Sequence, residues 1–468
     1  MSREKTLVKN TAIIALGKIS TQFVSFLLLP LYTAILTTEE YGIVDLFTTY
    51  SRLLLPILTL MIEHGAFRYL LSAEVDKHSK AEIVTNSFIV ITGMNILFAL
   101  GECVLFQVVY IPYSYYLVPI LIASSYSSWL LQIARGVKMT TLYSFGSFVS
   151  ATIHIIMNVI LIAVLHKGVQ GMLVATVIGH VSCAFLLTWR LKIYRYIDFS
   201  VISKNTIKRI LTYSIPLIPN AISLWIINSS DRTIVNYFLG TEANGVLAVS
   251  HKFPTIFQTV FSIFLLSWQE FATIHWNDPD WESFFNSIFE KIFKIFSAIC
   301  IIIISVLPFV FPLLVNKSFS QAYDTIPIYM IAMLLNILIG LIGVVYVATR
   351  NTKEIAKTTI VAGIINVIVH LIIIKFFGLY AAALSTFIAY LCAAIYRFHD
   401  TKRIIRIHMS AKTICLLLFS IIIAIFCYYQ NSYIWNAFGI FFTVCFCLYF
   451  CKDTICVINR LLRKVLKK

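Results

Sequence analysis

The chain has 468 residues, of which 59% are hydrophobic and 12% are charged. So few polar side chains cannot cover the surface of a water-soluble protein of this size, and the sequence predicts an all-α integral membrane protein. The net charge of +16 does not indicate nucleic-acid binding, because the Lys and Arg residues lie in short connections at the ends of apolar runs.

About fourteen apolar segments follow one another along the chain, each long enough for a helix to cross the hydrocarbon layer. We expect the first to be retained as a span rather than cleaved as a signal peptide, because it is long and lacks a small-residue cleavage site. The spans are predicted at residues 9–32, 43–70, 83–107, 115–135, 141–165, 169–190, 210–239, 245–267, 288–314, 322–349, 354–374, 378–397, 411–429 and 433–451.

The connections between these segments differ in charge on the two sides of the membrane. If the N-terminus lies inside, the connections after spans six and twelve are cytoplasmic and rich in Lys and Arg, whereas the outer connections contain only Lys167, Lys317 and Lys375. Cytoplasmic loops of membrane proteins carry an excess of positive charge. The sequence therefore predicts a multi-pass protein of the bacterial cytoplasmic (inner) membrane with both termini in the cytoplasm.

The two halves of the chain carry a repeated hairpin motif. Residues 38–43 read TEEYGI between spans one and two, and residues 241–246 read TEANGV between spans seven and eight. Six spans separate the copies, so both halves have the same orientation and are expected to be related by a pseudo-twofold axis along the membrane normal. This predicts one six-helix bundle at 1–200, a second at 201–408, and two extra C-terminal helices with a basic amphipathic tail at 409–468.

Basic residues well inside the predicted spans are the strongest candidates for a binding site. A charged side chain that faces lipid at mid-depth costs about 3 kcal/mol, so such residues are expected to face a cavity, an anion or a counter-ion. They come from both halves of the chain, which favours a shared central cavity that receives an anionic substrate. The predicted substrate-binding residues are Lys18, Arg52, Arg232 and Lys252.

A purely structural role is the alternative for these charges. Asp231 and Lys252 lie at similar distances from the turn between spans seven and eight, where they can neutralise each other, and the cations of spans one and two have acids of span two as potential partners. His154 and His180 likewise fit a proton relay or a hydrogen bond between helices. The predicted coupling or gating residues are Asp45, Glu63, Glu102 and Asp231.

Two stretches of the chain resemble a known family. The segment LTTEEYG at 36–42 resembles the N-terminal half of Wzx-type polysaccharide-biosynthesis flippases, and so does YSIPLIPN at 213–220, followed by Trp225 and the pair Asp231-Arg232. The resemblance covers nearly the whole chain. It implies the multidrug/oligosaccharidyl-lipid/polysaccharide exporter (MOP) superfamily, whose members alternate access between two six-helix bundles.

The resemblance also implies a substrate and roles for residues. Wzx-type proteins move undecaprenyl-diphosphate-linked sugars of O-antigen, capsule or related polysaccharides from the inner to the outer leaflet. By likeness to peptidoglycan-precursor flippases, Lys18, Arg52 and Lys252 would hold the substrate diphosphate, and the two helices at 411–451 would lie beside a lipid groove. Many Wzx-type proteins stop at twelve spans, so the final pair departs from the family pattern.

The predicted function is therefore that of a flippase and not of an enzyme. Its partners would be the undecaprenyl-diphosphate-linked glycan, membrane lipids, a polysaccharide polymerase and glycosyltransferases. Two alternatives are a cation-coupled multidrug exporter of the same fold, which would favour an acidic cavity, and a membrane-embedded polysaccharide polymerase, for which the outer loops are short. The ten cysteines include no C-x-x-C pair, and the sequence predicts neither a metal site nor a cofactor.

Overall fold

The computed structural model describes residues 26–71, 76–108, 112–349, 351–430, 432–450 and 452, and these residues form helices and short turns without any β-strand. They divide into two compact units, one up to Thr233 and the other from Ile234 onward. The predicted boundary between the two bundles lies at 200/201, so the units differ from it in the assignment of residues 201–233. The predicted three-part division stays a prediction.

The described residues of the first unit form eight helices and the first half of a ninth. They are α1 (Leu29–Ile35), α2 (Thr38–Leu58), α3 (Ile62–Leu71), α4 (Lys77–Val108), α5 (Leu117–Gly136), α6 (Thr140–Asn158), α7 (Gly168–Leu191), α8 (Lys204–Ser214) and α9 (Leu217–Ser250). A π-helical turn extends α6. Helix α7 packs along α5 and α6, and α3 packs on α5. The core between them includes Trp129, Cys183 and Ile210.

The second unit begins within α9, and its part that the structure describes contains seven further helices. They are α10 (Lys252–His275), α11 (Trp281–Leu314), α12 (Gln321–Ala348), α13 (Thr352–Phe377), α14 (Tyr380–Asp400), α15 (Ala411–Tyr429) and α16 (Tyr433–Phe450). Helix α12 packs against α10 and α14, whereas the last two helices pack on α11. The predicted C-terminal pair of spans therefore has a fixed place within this unit.

Among the described residues, eleven helical stretches are long and apolar enough to cross a membrane, or twelve if the bent pair α2 and α3 is one span. This confirms the predicted all-α membrane fold. Predicted spans two to fourteen each coincide with a helix or a bent pair, with span eight formed by the end of α9 and by α10. Most of span one and the basic tail lie outside the described residues.

The repeated hairpin motif marks helix boundaries in both halves. At the first copy, Thr37 and Glu40 form a capping box in which the side chain of each accepts the backbone N–H of the other, at 2.9 and 3.1 Å. Such a box satisfies N–H groups that have no partner inside the helix. Just before the second copy, Gly240 breaks the helical geometry of α9 with a φ of +88°, which glycine adopts without a Cβ clash.

Helix α2 and helix α3 form a bent span rather than a straight one. Leu60 and Met61 between them have φ values of +51° and +52°, and the two helices meet at an angle of 58°. Pro56 lies in the last turn of α2, where it lacks the N–H that would continue the hydrogen-bond ladder. The sequence predicted a single span here, and this bend places Arg52 on the first segment and Glu63 on the second.

A buried arginine joins three helices of the second unit. Arg397 of α14 is 4% exposed and donates to the Thr358 hydroxyl at 2.7 and 2.9 Å and to the Ile339 carbonyl at 3.0 Å. A Cβ at Gly343 would lie 2.7 Å from its guanidinium nitrogen, so glycine is needed for this approach. In the sequence, Arg397 belongs to the basic connection after span twelve and indicates only topology, because its position at the end of a span does not reveal these partners.

Replacing Arg397 by methionine is expected to lower the free energy of unfolding by about 2–3 kcal/mol, because buried acceptors lose their donor. The matched control is Arg403→Met, since Arg403 is 85% exposed and lies in the same basic cluster. Thermal unfolding of the purified variants in one detergent measures the effect. Equal melting temperatures for the two variants would contradict a stabilising role for Arg397.

Candidate functional site

A cavity of about 580 Å³ lies inside the first unit, among helices α2, α5, α6 and α7. Its wall is polar for a membrane-spanning segment, because hydroxyl groups from all four helices reach it. They belong to Thr48, Ser51, Ser124, Ser127, Ser128, Ser147, Ser150 and Thr176. Hydroxyls donate and accept hydrogen bonds, so they offer a polar ligand several partners beside the apolar side chains of the wall, such as Phe47, Leu55 and Leu173.

Arg52 is the charged residue of this wall. It is exposed, it lies on α2, and it makes no hydrogen bond or ion pair with any other residue that the structure describes. The described lining residues include no Asp or Glu. Because a guanidinium stays protonated and the described wall contains no carboxylate, this cavity is suited to a negatively charged ligand.

Two histidines also line the cavity and tie its helices together. His180 of α7 lies 2.9 Å from the Ser127 hydroxyl of α5. His154 of α6 contacts the amide of Asn158 at 3.0 Å and the Thr176 hydroxyl of α7 at 3.4 Å. These contacts match the interpretation of the histidines as hydrogen-bonding links between helices, while leaving both rings at the cavity wall.

Close packing of α6 on α7 brings these polar groups together. A Cβ at Gly179 would lie 2.9 Å from the Cβ of His154, and the Ser150 hydroxyl donates to the Gly179 carbonyl at 3.0 Å. Small residues let membrane helices approach closely, and hydroxyl to carbonyl bonds then join them. The absence of a side chain at Gly179 therefore allows α6 and α7 to pack closely on this side of the cavity.

Asp45 and Arg232 form an ion pair behind the cavity wall. The Nε of Arg232 donates to Oδ2 of Asp45 at 2.7 Å, and the two side chains are only 16% and 19% exposed. One turn of α2 further on, the indole of Trp225 donates to the Thr49 carbonyl at 2.8 Å. The first half of α9 is thus fastened to the helix that carries Arg52, and the guanidinium of Arg232 already has an anionic partner.

The other predicted site residues are not among the described lining residues of this cavity. Glu63 is 4% exposed at the start of α3, and its Oε2 has no hydrogen-bond partner among the described residues. Glu102 is partly exposed near the end of α4, and Asp231 is buried on α9. Lys252 begins α10 in the second unit, where it is partly buried. Lys18 lies outside the described residues.

Of the predicted residues that the structure describes, Arg52 is therefore the one in the cavity wall. The hydroxyl groups around it were not among the residues predicted from the sequence. A signal was present, because Ser124, Ser127 and Ser128 on α5 and Ser147 and Ser150 on α6 recur at helical spacing inside apolar runs. No group of three or more His, Cys, Asp or Glu in the described ranges has the geometry to hold a metal ion.

Residues 7–268 match the sequence model of the family described as polysaccharide biosynthesis protein. No curated protein matches the chain in sequence. Solved structures are similar in fold. The lipid II flippase MurJ in an inward closed conformation is 15% identical with a TM-score of 0.71, and the alignment covers 97% of this chain and 100% of MurJ.

Transporters of the MOP superfamily are similar as well. An inward-facing multidrug resistance MATE family transporter is 14% identical with a TM-score of 0.67, over 83% of this chain and 97% of that one. A MOP superfamily transporter from Pyrococcus furiosus, whose pocket of reverse polarity suggests a different function, is 16% identical with a TM-score of 0.58, over 84% and 95%. At these identities the likeness establishes a shared fold, that of MOP superfamily transporters.

Proposed function

Because this chain belongs to the polysaccharide biosynthesis protein family, we propose that it is a flippase for an undecaprenyl-diphosphate-linked oligosaccharide. It would carry the repeat unit of an O-antigen, capsule or related polysaccharide from the inner to the outer leaflet of the bacterial cytoplasmic membrane. The single observation that carries this proposal is Arg52, which lines a hydroxyl-rich cavity whose described wall contains no carboxylate.

The chemistry of the cavity fits the polar head of such a lipid. A guanidinium binds phosphate oxygens through two parallel N–H donors, and the serine and threonine hydroxyls supply further donors to the diphosphate or the first sugar. One arginine offsets only part of the charge of a diphosphate. Lys18 and Lys252 are the proposed additional cations, and Arg232 joins them if its pair with Asp45 opens during transport. The polyprenyl chain stays in lipid, and no covalent step is required.

A cation-coupled multidrug exporter is the rival of the same fold. A lipophilic cation in this cavity would meet Arg52 and no acidic residue of the described wall, which is unfavourable in a medium of low dielectric constant. The acids that such a mechanism would need, Glu63 and Glu102, are not among the described lining residues of the cavity. The charge at the site therefore favours an anionic substrate.

Depletion of the protein in its host tests the proposed function. We expect surface polysaccharide to fall while the lipid-linked intermediate accumulates in the inner leaflet, where a membrane-impermeant glycosidase added to intact spheroplasts cannot reach it. Re-expression should return the intermediate to the accessible leaflet. The proposal fails if depletion leaves the leaflet distribution of the intermediate unchanged. If depletion instead abolishes efflux of a lipophilic cation, and this efflux depends on Glu63 or Glu102, the protein is a multidrug exporter.

The same membranes allow a search for the proposed partners. A flippase feeds a polymerase and receives its substrate from glycosyltransferases, so these enzymes are the proposed neighbours of the protein. Cross-linking in membranes that contain the intermediate, compared with membranes that lack it, is the corresponding measurement.

A further inference from the structure

A second cavity, of about 500 Å³, lies in the second unit, between the end of α11, the start of α12 and the start of α16. Its wall combines aromatic rings with polar side chains of different kinds. They include Asn316, Lys317, Tyr323, Asp324, Tyr433 and Asn436. None of these residues belongs to the site around Arg52, which lies in the first unit.

One aromatic ring of this cavity is held rigidly. The Tyr323 ring stacks on Tyr428 with 4.0 Å between centroids and 10° between planes, and Phe311 contacts it edge-on at 5.3 Å. The tyrosines also exchange hydrogen bonds, because each hydroxyl donates to the other's backbone carbonyl, at 3.1 and 2.7 Å. Tyr323 is therefore fixed before any ligand arrives, which reduces the entropy lost on binding.

A second ring is free to contact a ligand. Tyr433, the first residue of α16, is 84% exposed although it lines the cavity. An aromatic ring combines an apolar face with a polar hydroxyl at low conformational cost, which suits a ligand that is itself amphipathic. The two tyrosines thus supply one fixed and one accessible aromatic surface.

The cavity also contains hydrogen-bonding groups that the described chain does not satisfy. Asn436 is only 8% exposed, and its Oδ1 has no hydrogen-bond partner among the described residues. The carboxylate of Asp324 likewise makes no hydrogen bond or ion pair within the described ranges. Leaving a buried amide oxygen unpaired is costly, so a ligand hydroxyl that donates to it would gain more than the same contact in water.

We propose that this cavity binds one sugar ring of a glycan. The C–H faces of a pyranose are apolar and pack on aromatic rings, while its hydroxyls both donate and accept, matching Asn436, Asp324 and Lys317. The proposal deepens the proposed function and rests on it, because the charge pattern of the loops predicts Lys317 on the outer side, where a translocated glycan emerges. The sugar belongs either to the lipid-linked head group or to free glycan near the membrane.

The test measures binding of a sugar to purified protein in nanodiscs. The probe is the oligosaccharide released by mild acid from the lipid-linked intermediates of the host, titrated by saturation-transfer difference NMR. We expect Tyr433→Ala to weaken binding by about three- to tenfold, as loss of one aromatic contact does. Tyr433→Phe should keep most of the affinity, because the ring face remains.

Two further variants distinguish loss of the sugar site from general damage to the fold. Asp324→Asn should also weaken binding, whereas Phe441→Ala should not, because Phe441 is 69% exposed on the same helix but outside the cavity wall. Absence of saturation transfer from the wild-type protein to the sugar would overturn the proposal. So would equal binding by wild type, Tyr433→Ala and Asp324→Asn, or displacement of the sugar by a short-chain phosphatidylethanolamine that binds at the same residues.

Flipping assays with the same variants identify the source of the sugar. Slower delivery of the lipid-linked glycan by Tyr433→Ala assigns the cavity to the transported head group, and unchanged delivery with weakened binding assigns it to free glycan; both support a sugar site. If depletion traps the intermediate but Tyr433→Ala binds the sugar normally, only the cavity proposal fails. If depletion leaves the leaflet distribution of the intermediate unchanged but sugar binding depends on Tyr433, only the flippase proposal fails.

Discussion

Replacing Arg52 by alanine is expected to lower delivery of the lipid-linked glycan to the outer leaflet by about ten- to a hundredfold. A hydrogen bond to a charged group contributes about 1.5–3 kcal/mol, and this cation has no substitute in the described cavity wall. The stability of the fold should be unchanged, because the guanidinium is exposed in the cavity and makes no hydrogen bond or ion pair with the described residues. Surface polysaccharide and leaflet distribution in a complemented deletion strain measure the loss.

The conservative variant and a control define what the arginine contributes. Arg52→Lys keeps the charge but loses the two parallel donors, so we expect intermediate delivery. Arg190→Ala removes an exposed arginine that stacks beside Trp189 outside the cavity, and it should export glycan normally. Full surface polysaccharide in cells that carry Arg52→Ala at the wild-type protein level would refute the assignment of Arg52 as a substrate ligand.

The second large effect is expected at the ion pair of Asp45 and Arg232. Removing one partner breaks a largely buried ion pair, which costs about 3–5 kcal/mol in comparable pairs. We expect Asp45→Asn and Arg232→Gln each to lower the melting temperature and the protein level. The double variant, in which both charges of the pair are removed, should recover most of the stability, and a double-mutant cycle on purified protein measures the coupling.

Transport by the double variant separates two roles of Arg232. If the pair serves only to fasten α9 to α2, Asp45→Asn/Arg232→Gln should recover delivery along with stability. If Arg232 also binds substrate, as the sequence predicts, the double variant should be stable but inactive. If the stability losses of Asp45→Asn and Arg232→Gln add up in the double variant, the two residues are not coupled, and the ion pair does not stabilise the protein.

The fold was predictable because the membrane imposes a simple rule on the sequence. Every span needs about 20 apolar residues, and predicted spans two to fourteen accordingly coincide with helices. The bend between α2 and α3 was not predicted, since it rests on positive φ values at Leu60 and Met61, which are ordinary apolar residues in the sequence. A continuous apolar run indicates that a segment lies in lipid, and it does not indicate where the helix breaks.

The site was predictable only in part, because partners distant in sequence decide what a charge does. Arg52 was identified from its depth in a span, and it does line a cavity. Arg232 looked equivalent, yet Asp45, 187 residues earlier, pairs with it. Arg397 looked like a topology signal and is instead bound to Thr358 and to the Ile339 carbonyl. The cost of a buried charge shows that a partner exists, but only the fold reveals which partner it is.

The most direct measurement uses purified protein in liposomes that contain a fluorescent undecaprenyl-diphosphate oligosaccharide. A membrane-impermeant quencher reports the fraction of the lipid in the outer leaflet over time, with empty liposomes and Arg52→Ala as controls. The flippase account predicts that wild-type protein makes the inner pool accessible, that Arg52→Ala does so at least about tenfold more slowly, and that Arg190→Ala matches the wild type. Equal rates for wild type and Arg52→Ala, or no movement by wild type, would contradict it.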